Sequence, residues 1–225
     1  MPVVGFRINT TFQRPSRELI DSFAGLPVAN IGDCMNRLAC IAGRIRPVNS
    51  APLLGPAFTV RARPGDNLLL HKAIDLAAPG DIIVVDGQGD LVNSLIGELM
   101  ISWAIRRGVK GFIVDGAVRD ITYLKSINTP VYTAGVTPAG PYKEGPGEIN
   151  VPITCGGVLV HPGDILVGDE DGVVVISPSD AADVLKKARA KMADERKTMA
   201  AIAAGTWDRS WVDKALAAKG CEIIG

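Results

Sequence analysis

Arginine and aspartate stand side by side at positions 119 and 120, just after the apolar run Gly111-Phe112-Ile113-Val114 and the turn Asp115-Gly116. Neither charge tolerates burial without a partner, so the pair must face solvent, each other or a charged ligand. Chemically, the aspartate offers a hard oxygen to Mg²⁺ or Mn²⁺, and the arginine a permanently charged fork of N–H donors. That combination suits an α-keto acid. The competing use is structural, with Asp120 capping a helix that runs through Leu124 and Arg119 a solvated neighbour. Upstream, Gly97-Glu98-Leu99-Met100 opens an amphipathic segment. The unpaired amides and dipole of a helix start there form a small anion site that a carboxylate would fit, although every helix has such an end.

These residues need elements to hold them. The continuous apolar runs Ile82-Ile83-Val84-Val85 and Phe112-Ile113-Val114 predict strands covered on both faces. Ile96, Leu99, Met100, Trp103 and Ala104 repeat at helical spacing, and Gly108 follows as a stop. Pro-Gly-Asp occurs at 64–66, 79–81 and 162–164, each a turn that launches the next element: a helix over 66–77, then strands over 82–85 and 165–167. A hairpin turn at 169–172 joins 165–168 to 173–176. Helices alternating with strands predict an α/β fold with added hairpin strands. Residues 139–147 read as a surface loop.

The C-terminal quarter differs. Ser177 suits an N-cap and Pro178 the first helical position of a helix over 179–204. Leu185, Ala188, Met192, Glu195, Met199 and Ile202 form one seam, which Glu195 interrupts. That glutamate either lies at the solvent edge of the seam or faces a partner. The expected organisation is a catalytic α/β unit over residues 1–177 and a helical extension over 178–225.

Composition excludes several classes. The 225 residues carry 24 basic and 24 acidic side chains, so no global field favours nucleic acid or an anionic membrane. Four cysteines without a CxxC pair, beside two histidines, argue against structural zinc or a disulfide scaffold and predict buried free thiols. The start lacks a basic segment followed by an apolar one, and no apolar run reaches the ~18 residues of a membrane span, which predicts a cytoplasmic protein. Asn9-Thr10-Thr11 fits a glycosylation acceptor that matters only in a secreted chain.

Glu98, twenty residues and then Arg119-Asp120 resemble the acidic-x20-Arg-Asp signature of the metal-dependent aldolases that cleave 4-hydroxy-4-methyl-2-oxoglutarate and 4-carboxy-4-hydroxy-2-oxoadipate. The resemblance runs from Gly32-Asp33 through Pro64-Gly65-Asp66-Asn67, residues 114–120, Asn150-Val151-Pro152 and residues 168–172 to the 215–220 tail. It implies a layered α/β/α sandwich with a mixed sheet, assembled as a homotrimer or homohexamer with sites at subunit boundaries. By this resemblance Asp120 is the one direct protein ligand of Mg²⁺ or Mn²⁺, and Arg119 binds the keto oxygen as it becomes an enolate. The amides of Glu98, Leu99 and Met100, after Gly97, hold the substrate carboxylate. Glu195 from a neighbour's helix approaches the water on the metal. Some members carry Asp at the position of Glu98. Oxaloacetate decarboxylation shares the enolate and would accompany or replace aldol cleavage.

The same fold occurs in the regulator of ribonuclease activity A, a non-catalytic relative with a shorter C-terminus, which is the competing function. Other chemistries fare worse. A Schiff-base aldolase needs a desolvated lysine, and neither Lys72 nor Lys125 lies in an apolar strand. Gly87-Gln88-Gly89 follows a strand as a dinucleotide turn would, but Val92 takes the place of the third glycine. His71, close to Asp75 on one helix, is either a structural histidine or an aid to substrate binding.

Overall fold

A computed structural model describes residues 3–224. Its contacts divide the chain into a large unit ending at Ala188 and a small one starting at Arg189. The large unit contains β1 (Phe6–Ile8), α1 (Arg17–Asp21), α2 (Val28–Cys34), β2 (Arg46–Pro47), β3 (Leu53–Ala62), α3 (Leu68–Leu76), β4 (Ile82–Ile96), α4 (Glu98–Arg106), β5 (Gly111–Val118), α5 (Ile121–Ser126) and β6 (Val131–Val136). It continues through β7 (Gly147–Ile149), β8 (Ile153–Cys155), β9 (Val158–Val160), β10 (Ile165–Asp169) and β11 (Gly172–Ile176) into α6 (Ala181–Ala203), which crosses the division; α7 (Ser210–Ala218) follows.

The main sheet is mixed, as expected. Strands β3, β4, β5 and β6 run parallel, β2 and β7 pair antiparallel at opposite sides, and β1 extends the sheet beside β7. The first half of β3 also pairs with β10, which forms the predicted hairpin with β11. Separate strands β8 and β9 pair with each other.

Alternation along the apolar runs explains their continuity. Ile83, Val85, Phe112 and Val114 point into a core shared with Leu70 and Ile74 of α3, Ile101 and Ala104 of α4 and Leu124 of α5. Ile82, Val84 and Ile113 point the other way, toward Ile153, Val160, Leu166 and Val175 of the hairpin strands. Helices cover the first face, and β-structure with the 41–45 loop covers the second. With water excluded from both, every position of the runs 82–85 and 112–114 is apolar, each fully buried side chain contributing about 1.5–3 kcal/mol.

Parallel pairing brings three strand ends together. Ile96 of β4 pairs with Val118 of β5, and Val118 with Val136 of β6. Helices α4 and α5 therefore begin next to each other. Strand β4 reaches this point only because it continues through Gly87-Gln88-Gly89, where its register against β5 shifts between Asp86 and Asp90. The glycine pair thus serves an irregular strand and opens no dinucleotide-binding helix.

Two sequence expectations need correction. Among the cysteines only Cys155 is buried; Cys34 is partly buried, and Cys40 and Cys221 are exposed. Cys221 follows α7, which buries no residue, and Cys34 and Cys40 flank the turn 35–39, where no residue is buried. Helix α6 begins at Ala181, two residues later than expected, and its buried residues are Ala181, Val184 and Ala188. In the small unit α7 buries no residue, and the Arg209 guanidinium lies 5.2 Å from the ring centre of Trp207.

Candidate active site

The site is built on the junction of the two strand ends. Arg119 N–H donates to the Ile96 carbonyl at 3.0 Å, continuing the sheet by one bond beyond Val118. Asp120 then adopts φ 60° and ψ 40°, a left-handed conformation rare for a residue with a side chain. Such an outlier concentrates at functional positions, and the strain costs on the order of 1–3 kcal/mol.

Asp120 occupies the N-cap position of α5, yet its side chain makes no capping bond there. Its carboxylate turns instead to the neighbouring helix, where Oδ2 accepts the Glu98 N–H at 2.8 Å. The reversed backbone is what points it away from its own helix. Asp120 thus serves the first turn of α4, an option that neither a self-capping aspartate nor a free metal ligand would have suggested. Arg119 Nε lies 3.8 Å from the same Oδ2, with both side chains about two-fifths exposed, so their mutual attraction is largely screened.

Gly97 makes this proximity possible. Its φ of −152° suits any residue, so the need is for space. A Cβ there would collide with Asp120 Oδ2 and lie 2.8 Å from Arg119 Cγ. The Gly97 carbonyl accepts the Ile101 N–H, and the first-turn amides of Leu99 and Met100 lack a carbonyl one turn back. With Glu98 N–H already taken by Asp120, those two remain for an incoming anion at the positive end of the nine-residue α4.

Loop 139–140 borders the guanidinium: a Cβ on Gly140 would lie 3.4 Å from an Arg119 terminal nitrogen. The end of β4 pins this loop, with Ser94 N–H and Oγ donating to the Ala139 carbonyl at 2.8 and 2.7 Å and Asn93 Nδ2 to the Gly140 carbonyl at 2.6 Å. Sequence reasoning missed Asn93, Ser94 and also Asn67, whose side chain reaches the Leu95 carbonyl. A polar residue next to a helix-launching turn was the available signal for Asn67.

Of the remaining candidates, His71 borders the first turn of α4 and the others lie on the surface. His71 lines a 280 Å³ cavity with Ile74, Asp75, Leu99, Met100 and Trp103, contiguous with the exposed side of α4. Its imidazole is held below the ordinary value mainly by partial burial, with the Lys143 charge adding to the effect and Asp75 opposing it. Lys72 and Lys125 are exposed, so neither has the desolvation that a Schiff-base lysine needs. Glu195 lies on the part of α6 in the small unit, 3.5 Å from Lys191 Nζ.

The comparisons match the chain to a family. A model described as RraA-like, Aldolase/RraA, covers residues 28–175, which include both strand ends and the pinned loop. The chain belongs to the RraA-like family. A Halalkalibacterium halodurans protein named "Putative 4-hydroxy-4-methyl-2-oxoglutarate aldolase" is 42% identical over 186 residues, covering 82% of this chain and 89% of that protein. Among solved structures, Streptomyces coelicolor RraAS2, titled an unusual member of the RNase ES inhibitor RraA protein family, superposes with a TM-score of 0.75 at 26% identity. It covers 84% of this chain and 99% of that one. An uncharacterized protein from Pseudomonas syringae gives 0.76 at 27% identity, over 86% and 96% of the two chains. The RraA-like family includes both aldolases and RraA regulators, so membership sets the fold and leaves both functions open.

Proposed function

We propose that this RraA-like chain is a divalent-metal-dependent pyruvate aldolase, a carbon–carbon lyase acting on 4-hydroxy-2-oxo acids such as 4-hydroxy-4-methyl-2-oxoglutarate or 4-carboxy-4-hydroxy-2-oxoadipate. The observation that carries this reading is the convergence of Arg119, the strained Asp120 and the start of α4 at one junction of strand ends. The relative named as an aldolase supports it.

The residues fit a hard cation. Among the described residues no cluster of three or more His, Cys, Asp or Glu side chains could hold a metal, which disfavours a softer, fully protein-ligated ion. A single exposed carboxylate matches Mg²⁺, or Mn²⁺ in its place, an ion bound through one or two carboxylates and otherwise through water and substrate oxygens. Asp120 would hold it, and when bound it supplies a Lewis acid beside the keto oxygen.

The protein groups divide the remaining work. Leu99 and Met100 amides hold the substrate carboxylate, Glu98 contributing its own amide when Asp120 turns toward the metal. Arg119 directs its fork at the keto oxygen. In cleavage the 4-hydroxyl loses its proton, the C3–C4 bond breaks, and its electron pair forms the pyruvate enolate facing Arg119. The second keto acid leaves, and the enolate carbon takes up a proton to give pyruvate. Decarboxylation of oxaloacetate would reach the same enolate. Stabilisation of that growing charge by one preorganised donor is worth about 3–4 kcal/mol.

Glu195 is assigned to the site of a neighbouring copy, where its carboxylate would orient the water that carries the proton. This places residues 178–225 against a neighbouring subunit in a homotrimer or homohexamer, in keeping with a family whose members are commonly oligomeric. No helix among the described residues is long and apolar enough to cross a membrane, and a cytoplasmic location is part of the same reading. The second reading, a non-catalytic protein-binding regulator, draws on the likeness to RraAS2. Pyruvate release from a panel of 4-hydroxy-2-oxo acids with Mg²⁺ separates the two: turnover of one or more supports the aldolase, and none favours the regulator.

A further inference from the structure

Asn67 is 2% exposed and sits at the N-cap of α3, but its side chain caps nothing. Asp66 does that work, its Oδ1 accepting the Leu68 N–H at 2.9 Å while Oδ2 accepts Glu144 and Gly145 N–H at 2.6 and 2.9 Å. The Asn67 amide is turned the other way. Nδ2 donates to the Leu95 carbonyl at 2.9 Å and lies 3.2 Å from Met100 Sδ. These two partners bracket the segment from the end of β4 to the first turn of α4.

The other half of the amide is left over. Asn67 Oδ1 is buried without a hydrogen-bond partner. Flipping the group would put that oxygen against the Leu95 carbonyl, so the orientation is fixed by chemistry. A buried orphan acceptor is a standing cost to stability. A residue selected only for folding would be apolar at such a place, which leaves the bond across to Leu95 as the reason for an amide.

We infer that Asn67 is a positioning residue: it clamps residues 95–100 so that the Leu99 and Met100 amides stay aimed at the substrate carboxylate. It acts through the main chain of α4 and touches no substrate. The inference rests on the proposed seat of the carboxylate, and goes beyond it by naming what holds the seat.

Asn67→Leu, close in shape, exchanges the orphan Oδ1 for an orphan Leu95 carbonyl. The melting temperature should therefore change little, while the Kd for pyruvate, titrated calorimetrically with Mg²⁺ present, should rise about tenfold, the scale of one lost hydrogen bond. Equal pyruvate affinity in the two proteins overturns the clamp alone. Absence of pyruvate binding by the wild type overturns the functional reading and the clamp with it. Should the variant fail to fold, NMR of the wild type decides: the Asn67 side-chain amide should exchange slowly and shift as pyruvate is added, and an unmoved resonance under saturating pyruvate contradicts the inference.

Discussion

The Glu98 main-chain N–H donates to Asp120 Oδ2 over 2.8 Å, so the residue that opens α5 closes the first turn of α4. Two helix starts that are 22 residues apart in sequence are thereby joined by one bond. Anything placed between them, whether a methyl group or a substrate, must displace that carboxylate or share it.

Gly97→Ala tests the spacing. The backbone tolerates alanine, but the added methyl would strike Asp120 Oδ2 and crowd Arg119 Cγ. Displacement of reacting groups by about 1 Å costs up to ~10²-fold in rate, so pyruvate release should fall by about that factor. The far-UV spectrum should be preserved. Normal turnover in this variant would show that the contact between the two starts is incidental.

Arg119→Lys keeps the charge and loses the fork. We expect kcat lower by roughly 10²-fold, the effect of one missing oxyanion donor, with the melting temperature almost unchanged because the side chain is partly exposed. Near-normal kcat would remove Arg119 from the chemistry.

His71 gives a pH signature. Its folded-state pKa lies below the ordinary imidazole value of 6.5, so the unfolded chain binds the proton more readily. The contribution of neutral His71 to stability is full above 6.5 and is lost as pH falls through the window below it. His71→Gln should flatten the acid limb of a denaturation-midpoint profile in that window. An unaltered limb would place the destabilisation in other groups.

Much of this arrangement is legible in the sequence, and the limits are physical. The runs 82–85 and 112–114 reveal strands because both sheet faces are covered, and Gly97 marks the start of α4 one residue before Glu98. The adjacency of those starts depends on parallel pairing between β4 and β5, a long-range contact with no local signature. The target of the Asp120 carboxylate depends on a left-handed backbone that aspartate adopts only in a minority of cases, and the local sequence does not single this one out. Asn67 escapes for a similar reason, since its partners Leu95 and Met100 lie 28 and 33 residues away.

Glu195 is tested by mixing. Asp120→Asn chains and Glu195→Ala chains, each inactive alone, should regain activity when subunits exchange, because some mixed sites then hold both native residues. Verified exchange with no recovered activity, or a fully active Glu195→Ala protein, would contradict a shared site.

The most direct measurement compares wild type and Asp120→Asn after chelation and stepwise return of Mg²⁺, reading pyruvate release from 4-hydroxy-4-methyl-2-oxoglutarate. Asparagine tolerates the left-handed backbone and can still accept the Glu98 N–H, so the substitution removes the charge and spares the junction. The account predicts that chelated wild-type protein is inactive, that Mg²⁺ restores it, and that Asp120→Asn stays inactive at every Mg²⁺ concentration while remaining folded. Pyruvate release by the chelated wild type, or Mg²⁺-restored turnover in Asp120→Asn equal to wild type, would contradict it.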